Sequence, residues 1–167
     1  MWFTNEFRAT SRDRLTARLL ELIVSCRLRD RVRERLSAAY APYVSVDVQR
    51  EPDPFVESKI RVAGDPDRLD EIVTEVLGDL ADLQANGPSA DEFLAAREQL
   101  WIEINLISNE QLADVLITSA LYPDQQVTEL DDRFMIIQEL TGADVQTLAR
   151  VSFAPNQRIE IRQVPIP

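Results

Sequence analysis

Two side chains in the stretch RERLSAAYAPYV, residues 33–44, have the types and spacing that a peptide-handling site needs. Arg33 can hold a carbonyl or carboxylate, and Tyr40 can donate a hydrogen bond to an oxygen that gains negative charge. Acyl-transfer sites require both kinds of donor. On a continuous helix seven residues turn through about 700°, so both side chains leave from nearly the same side, about 10 Å apart. Such a pair can straddle two or three residues of an extended peptide.

The same spacing also fits a structural role, in which Arg33 forms an ion pair and Tyr40 packs at the end of a helix. Spacing alone favours this second interpretation. Pro42 disfavours the helical conformation at Ala41, so the helix is expected to end at residues 40–42.

The chain has 167 residues and no His. His is the commonest general base and zinc ligand, and it activates the usual Ser and Cys nucleophiles. We therefore expect the chain to bind no metal and to need catalytic groups from elsewhere. Acidic pairs such as Asp70-Glu71, Asp91-Glu92 and Asp131-Asp132 fall in first turns or on polar faces of predicted helices, where solvated charge is the expected role.

Charge is distributed unevenly along the chain. Residues 1–50 carry ten Arg and six acids (+4), whereas residues 51–167 carry eight basic and 23 acidic residues (−15), which gives the net charge of −11. Five arginines alternate along the first predicted helix: Arg27, Arg29, Arg31, Arg33 and Arg35. Alternate helical residues lie about 200° apart, so these side chains fan onto different sides instead of forming a ridge.

Asp30 and Glu34 are suitable i,i+4 partners for these arginines. A solvated or intramolecularly paired face is therefore favoured over an anion or peptide site, and no nucleic-acid partner is expected. No membrane insertion is expected either, because no run approaches the roughly 18 to 20 apolar residues that span a bilayer.

Hydrophobic periodicity predicts a long first helix over residues 12–39. Leu15, Leu19, Leu22 and Cys26 form one stripe of it. Cys26 is the single cysteine, so we expect a buried, unreactive thiol and no internal disulfide.

Two alternating runs after this helix predict antiparallel strands, YVSVDVQR at 43–50 and SKIRVAG at 58–64, joined by the proline-stiffened EPDP. Helices with clear start and stop signals follow. The second predicted helix starts at Asp65 and Pro66 and ends at Asn86-Gly87. Ser89 with Glu92 marks the start of the third helix, and Thr141 with Asp144 marks the start of the last one. The third helix is expected to reach about Leu121, with a soft point near Ser108-Asn109. Leu130, Phe134, Ile137 and Leu140 mark another helix, and QRIEIRQVPIP predicts a closing strand.

With MWFT as a first strand, the order is strand, helix, two strands, several helices and strand. This order predicts an α+β fold in which helices cover one face of an antiparallel sheet. The expected architecture is a βαββα-type sandwich with an expanded helical block. Length predicts a single domain over residues 1–167.

The stretch LRDRVRERLSAAYAPYVSV resembles the helix-to-strand motif in the non-catalytic half of pitrilysin/insulinase-type zinc metallopeptidases, the inverzincins. The usual form of that motif is LRE, a few residues, Gly, two residues and Tyr; Ser37 stands here where Gly is common. The resemblance continues through residues 52–54, 62–100 and 139–165, and includes ANGPSADEF, a frequent mark of the family. It therefore covers nearly the whole chain from about Arg12.

The resemblance implies a metallohydrolase-like fold and a place in a larger multidomain peptidase, with this chain as an excised or truncated C-terminal domain. The family's catalytic domain bears an inverted His-x-x-Glu-His zinc motif, which this chain lacks, so zinc belongs elsewhere in the parent protein. Arg33 and Tyr40 fall on the family positions that bind substrate backbone and assist the tetrahedral intermediate. Glu34 falls on the acid that follows the Arg.

The implied partners are a catalytic zinc-bearing half, on the same polypeptide or a separate subunit, and a peptide substrate. The chain alone is expected to be inactive. The alternative is a degenerate scaffold or processing-subunit-like interaction domain with no substrate role. Exported bacterial members suggest the periplasm or cell envelope, and the cytoplasm is the other possibility.

Overall fold

The computed structural model describes residues 1–7, 10–36, 42–49, 53–106 and 129–163, together with positions 110, 113, 116, 117 and 120. The strands are β1 (Trp2–Glu6), β2 (Tyr43–Gln49), β3 (Phe55–Arg61) and β4 (Arg158–Ile159). The helices are α1 (Ser11–Leu36), α2 (Leu69–Asn86), α3 (Ala90–Asn105), α4 (Glu129–Glu139) and α5 (Gly142–Ser152).

The strands form one antiparallel sheet in the order β2-β3-β1-β4. Side chains alternate across it, because successive residues of a strand point to opposite faces. One face is buried under α1 and α5 and carries Phe3, Val44, Val46, Val56 and Ile60. The other face carries exposed Trp2, Tyr43 and Ile159. The predicted α+β architecture, a sheet covered on one face by helices, is confirmed.

Helix α1 supplies much of the core. Its fully buried side chains are Leu19, Leu20, Ile23, Val24 and Leu28, each at most 2% exposed. The prediction for Cys26 is wrong, because this thiol is exposed. Six residues turn through about 600°, so Cys26 lies about 120° from Leu20, at the edge of the buried face instead of its centre.

Several strand boundaries differ from the predicted ones: β1 ends at Glu6 and not Thr4, β3 ends at Arg61 and not Gly64, and the start of β3 and the length of β4 differ as well. β3 begins at Phe55, three residues before the predicted start, because Phe55, Val56 and Glu57 also pair with β1 and β2. The buried Ser58 interrupts the apolar alternation there and hides the strand in the sequence. β4 pairs over two residues only, since its register already aligns Ile159 with Trp2 at the start of β1.

The helix signals are largely confirmed, with two changes in length. Asp65 accepts a hydrogen bond from the Asp67 N–H at 3.0 Å, but a 3₁₀ turn precedes α2, which begins at Leu69. Both predicted capping boxes are present, at α3 and α5. α3 ends at Asn105 and not near Leu121, because Leu106 leaves the helical conformation at φ −101° and ψ 26°. Described positions between 110 and 120 are helical again.

Gly87 ends α2 with φ 75° and ψ −178°. Residues other than Gly are strained in this backbone conformation. We expect Gly87→Ala to lower the free energy of unfolding by about 1 to 2 kcal/mol. Gly78 is the matched control: it lies in α2, exposed, with no atom within 4 Å of an added Cβ. Gly78→Ala should raise stability by about 0.5 to 1 kcal/mol. Urea denaturation measures both, and a loss of stability in both variants would contradict the conformational argument.

Candidate functional site

The predicted pair lies at the carboxyl end of α1. Arg33 is in the last turn of this helix, while its side chain, Ser37 and Tyr40 fall outside the described part of the chain. Position 33 comes seven residues after Cys26 and four after Arg29, so helical geometry places all three on one side of α1, within about 60° of each other. Cys26 and Arg29 are exposed. The described residues on this side of the helix are therefore accessible to a partner or a substrate.

Arg27 lies on another side of α1, which faces α2 and α3, and its side chain is only 11% exposed. Its guanidinium forms a fork on Glu92, with Nε 2.6 Å from Oε1 and Nη2 2.8 Å from Oε2. It also donates to Asp82 Oδ2 at 2.9 Å and to the Gly87 carbonyl at 3.3 Å. One side chain thus ties α1 to α2, to the α2–α3 turn and to α3.

The charges around Arg27 are strongly coupled. Hydrogen bonds from Arg27 hold the pKa of Glu92 at about 2, against burial, which acts the other way. The same interaction with Glu92 raises the pKa of Arg27. The pKa of Asp82 is lowered by hydrogen bonds from Asn86 and Arg27. All three groups therefore stay ionised near neutral pH.

A second ion pair lies one turn further along α1. Arg31 Nη1 is 2.7 Å from Oδ1 of Asp79, a carboxylate of α2 that is almost fully buried. Neither oxygen of Asp79 accepts a well-formed hydrogen bond from a described residue. Burial raises the pKa of Asp79, although Arg31 and Arg27 act in the opposite direction.

For Arg27 and Arg31 these pairs confirm the predicted intramolecular pairing, but the partners were not foreseen. Arg29 is exposed, and the side chains of Arg33 and Arg35 lie outside the described part of the chain. The sequence suggested Asp30 and Glu34 on the same helix, whereas Arg27 and Arg31 bind acids of α2 and α3. One signal was available: Arg27 lies on the helix side that Leu20 and Val24 bury. An Arg there needs a carboxylate partner, because an unpaired buried charge is costly.

A Tyr at the start of β2 and an Arg at the end of β3 were also missed. Tyr43 is directly opposite Arg61 in the sheet, and the Arg61 guanidinium carbon lies 4.5 Å from the ring centroid of Tyr43. Tyr43 is 47% exposed. This pair occupies the open face of the sheet, where strand alternation would have put it.

Helices α3 and α4 carry an exposed apolar surface. Trp101 packs against Phe134 with ring centroids 4.9 Å apart, beside a shallow groove of about 480 Å³. The groove is lined by Leu94, Arg97, Glu98, Trp101, Ile137 and Gln138. Exposed Ile102, Leu106 and Met135 extend the apolar area. Neighbouring exposed apolar side chains of this kind are a feature of surfaces that contact another protein.

The residues of this chain do not fit a zinc site. Protein zinc sites use His, Cys and carboxylates, usually four donors in structural sites and three in catalytic ones. The sequence has no His and one Cys, and in the described ranges no group of three or more His, Cys, Asp or Glu could hold a metal. None of the described helices is long and apolar enough to cross a membrane.

Comparison with known proteins identifies the family. The model of the Peptidase M16 inactive domain matches residues 3–100, more than half of the chain. The chain therefore belongs to this family of inactive peptidase-like domains of zinc proteases, and the predicted family is confirmed. A comparison of the sequence with curated proteins found no significant match.

Solved structures with the same fold include the periplasmic protease PqqL from Escherichia coli, with a TM-score of 0.74, 19% identity and 89% of this chain covered. The inactive peptidase domain of a Bordetella parapertussis protein described as a zinc protease has a TM-score of 0.75 and 15% identity, and the match covers 99% of this chain and 89% of that one. A mutant of the ferredoxin protease FusC, in complex with Arabidopsis ferredoxin, has a TM-score of 0.72 and 15% identity over 92% of this chain. The match spans only 17% of the PqqL and FusC chains.

Proposed function

We propose that this chain is the non-catalytic, substrate-binding domain of a zinc-dependent metalloendopeptidase. It closes a peptide-degrading chamber opposite a zinc-bearing half, on the same polypeptide or a separate subunit. Arg33 binds the substrate backbone, and Tyr40 donates a hydrogen bond to the tetrahedral intermediate. Zinc and the water it activates belong to the other half, and residues 1–167 are one domain of the larger protein.

The position of residue 33 on α1 is the observation that supports this role. Arg27 and Arg31 pair with acids of α3 and α2 on another side of the helix, whereas Cys26 and Arg29, the described residues that lie nearest to position 33 on its own side, are exposed. An Arg guanidinium is suited to bind an external carbonyl or carboxylate. A helix is also a rigid support from which such a side chain can reach across a chamber.

We expect Arg33→Ala to raise the KM for peptide cleavage about tenfold or more, because hydrogen bonds from a charged donor contribute about 1.5 to 3 kcal/mol. The assay uses the chain together with its zinc-bearing half and fluorescein-labelled casein. Arg29→Ala is the matched control, since it removes the same charge from an exposed position one turn earlier on the helix. An unchanged kcat/KM in Arg33→Ala, or equal losses in both variants, would contradict the proposed role.

The second candidate is an interaction domain with no substrate role, and the apolar surface of α3 and α4 favours it. This alternative predicts that Arg33→Ala leaves cleavage unchanged while Trp101→Ser weakens assembly with the other half. Sedimentation of the two mixed halves measures that assembly. A parent protein, or a neighbouring gene, without a His-x-x-Glu-His motif would also favour the interaction domain.

A further inference from the structure

Helix α1 is bound to its neighbours by arginines at both ends, and both use the same kind of partner. Near its start, Arg12 Nη2 donates to Asp144 Oδ2 at 3.2 Å and to the Glu139 carbonyl at 3.1 Å. Near its end, Arg27 binds Glu92. Asp144 and Glu92 are the third residues of α5 and α3, and each completes the capping box of its helix.

The two ends differ in what they hold in place. Arg12 is far from the candidate site, whereas Arg27 comes six residues before Arg33 on one continuous helix, about 9 Å along its axis. Among the described side chains of α1, Leu28 is the last that is buried in the core. Arg27 therefore contributes the most extensive polar contact to the end of the helix that leads to Arg33 and Tyr40.

A fork restricts rotation of the helix more than a single contact does. Two parallel hydrogen bonds to Glu92 and a third to Asp82 fix the direction in which Arg27 leaves the helix. With side chains about 5 to 6 Å from the axis, a 20° rotation of α1 would displace a side chain by about 2 Å. A misplacement of about 1 Å at a reacting centre can cost about 100-fold in rate.

We infer that Arg27 is a positioning residue, which fixes the rotation of the end of α1 through Glu92 and Asp82 and so places Arg33 against the substrate. The inference rests on the proposed function, because it needs Arg33 to contact substrate. Two further contacts of α1 are a fork from Arg18 to Glu103 of α3, nearer the start of the helix, and the pair of Arg31 with Asp79. Arg27 does not touch the substrate and acts only through Arg33 and the residues that follow it.

The test compares Arg27→Met with Arg12→Met in the full assembly with the zinc-bearing half, again with labelled casein. Both changes keep an unbranched side chain and remove one Arg–capping-box contact. We expect both to lower Tm, but only Arg27→Met should raise KM, by about fivefold to tenfold. Asp82→Ala is the second variant, for use if Arg27→Met does not fold. It removes the Arg27–Asp82 contact, leaves the capping box in place and should raise KM about threefold.

A double-mutant cycle with Arg33→Ala separates positioning from general destabilisation. If Arg27 acts through Arg33, Arg27→Met should not raise KM further once Arg33 is absent. An equal rise in KM in both backgrounds, or an equal rise from Arg12→Met, would overturn the inference. A normal KM in Arg27→Met beside a raised KM in Arg33→Ala would overturn the inference alone, whereas a normal KM in Arg33→Ala would overturn the proposed function as well.

Discussion

Replacing Tyr40 with Phe should lower kcat for peptide cleavage by about 100-fold or more, while KM changes by less than about threefold. The substitution removes one hydroxyl and keeps the aromatic ring. If that hydroxyl donates to the oxyanion of the tetrahedral intermediate, its loss affects the transition state more than the bound substrate. Removing one oxyanion donor costs about 100-fold to 1,000-fold in other acyl-transfer enzymes.

Tyr43→Phe is the matched control for this experiment. Tyr43 lies three residues after Tyr40, is 47% exposed and stacks on Arg61, so the substitution makes the same chemical change without removing the proposed oxyanion donor. The comparison is made by steady-state kinetics on labelled casein with the assembled enzyme. A similar kcat for Tyr40→Phe and Tyr43→Phe would remove Tyr40 from the mechanism and leave substrate binding by Arg33 to be judged separately.

Replacing Glu92 with Gln should lower the free energy of unfolding at pH 7 by on the order of 2 kcal/mol. The pKa of Glu92 falls from an ordinary 4.5 to about 2 in the folded chain. That difference corresponds to at most about 3 kcal/mol, and partial exposure of the pair reduces it. Because the folded pKa is the lower one, this stability is present above about pH 4.5 and is lost as the pH falls towards 2.

The pH dependence distinguishes this electrostatic contribution from the loss of a helix cap. Unfolding by urea, followed at intervals from pH 7 to pH 3, should show a smaller acid-induced loss in Glu92→Gln than in the unaltered chain. Glu98→Gln, the same change at an exposed position of the same helix, is the control. The buried Asp79 affects the pH dependence of stability in the opposite direction to Glu92. Its pKa is raised by burial, so its protonation at low pH relieves the cost of burying a charge. Equal pH profiles for Glu92→Gln and the unaltered chain would contradict the role of the fork.

Local signals were enough to predict most of the fold. The Asn86-Gly87 helix end and the two capping boxes act within three or four residues, so the sequence specifies them directly. Strand ends were less predictable, because they depend on which partner strand is alongside. β3 is lengthened by pairing on both sides, and β4 is short because β1 begins at Trp2.

The candidate site was predictable only in part. The position of Arg33 in the last turn of α1 follows from helical periodicity, but its proposed role and that of Tyr40 came from the resemblance and remain predictions. The Arg27–Glu92 pair spans 65 residues of sequence, and no local pattern links its two members. The wrong prediction for Cys26 has a similar cause. A stripe of apolar positions gives the direction of the buried face of a helix only to within about 100°, the rotation between successive residues.

In the capping boxes of α3 and α5, one carboxylate has two roles: it caps the start of its own helix and it binds an arginine of α1. A capping box by itself accepts Gln as well as Glu at its third residue, because either side chain can reach back to the cap. The fork from Arg27 needs both oxygens of a charged carboxylate, so Glu92 is constrained by the capping box and by the fork at once. A substitution that preserves each helix in isolation can therefore still separate the helices from α1, and such positions should vary less among related sequences than their exposed surroundings suggest.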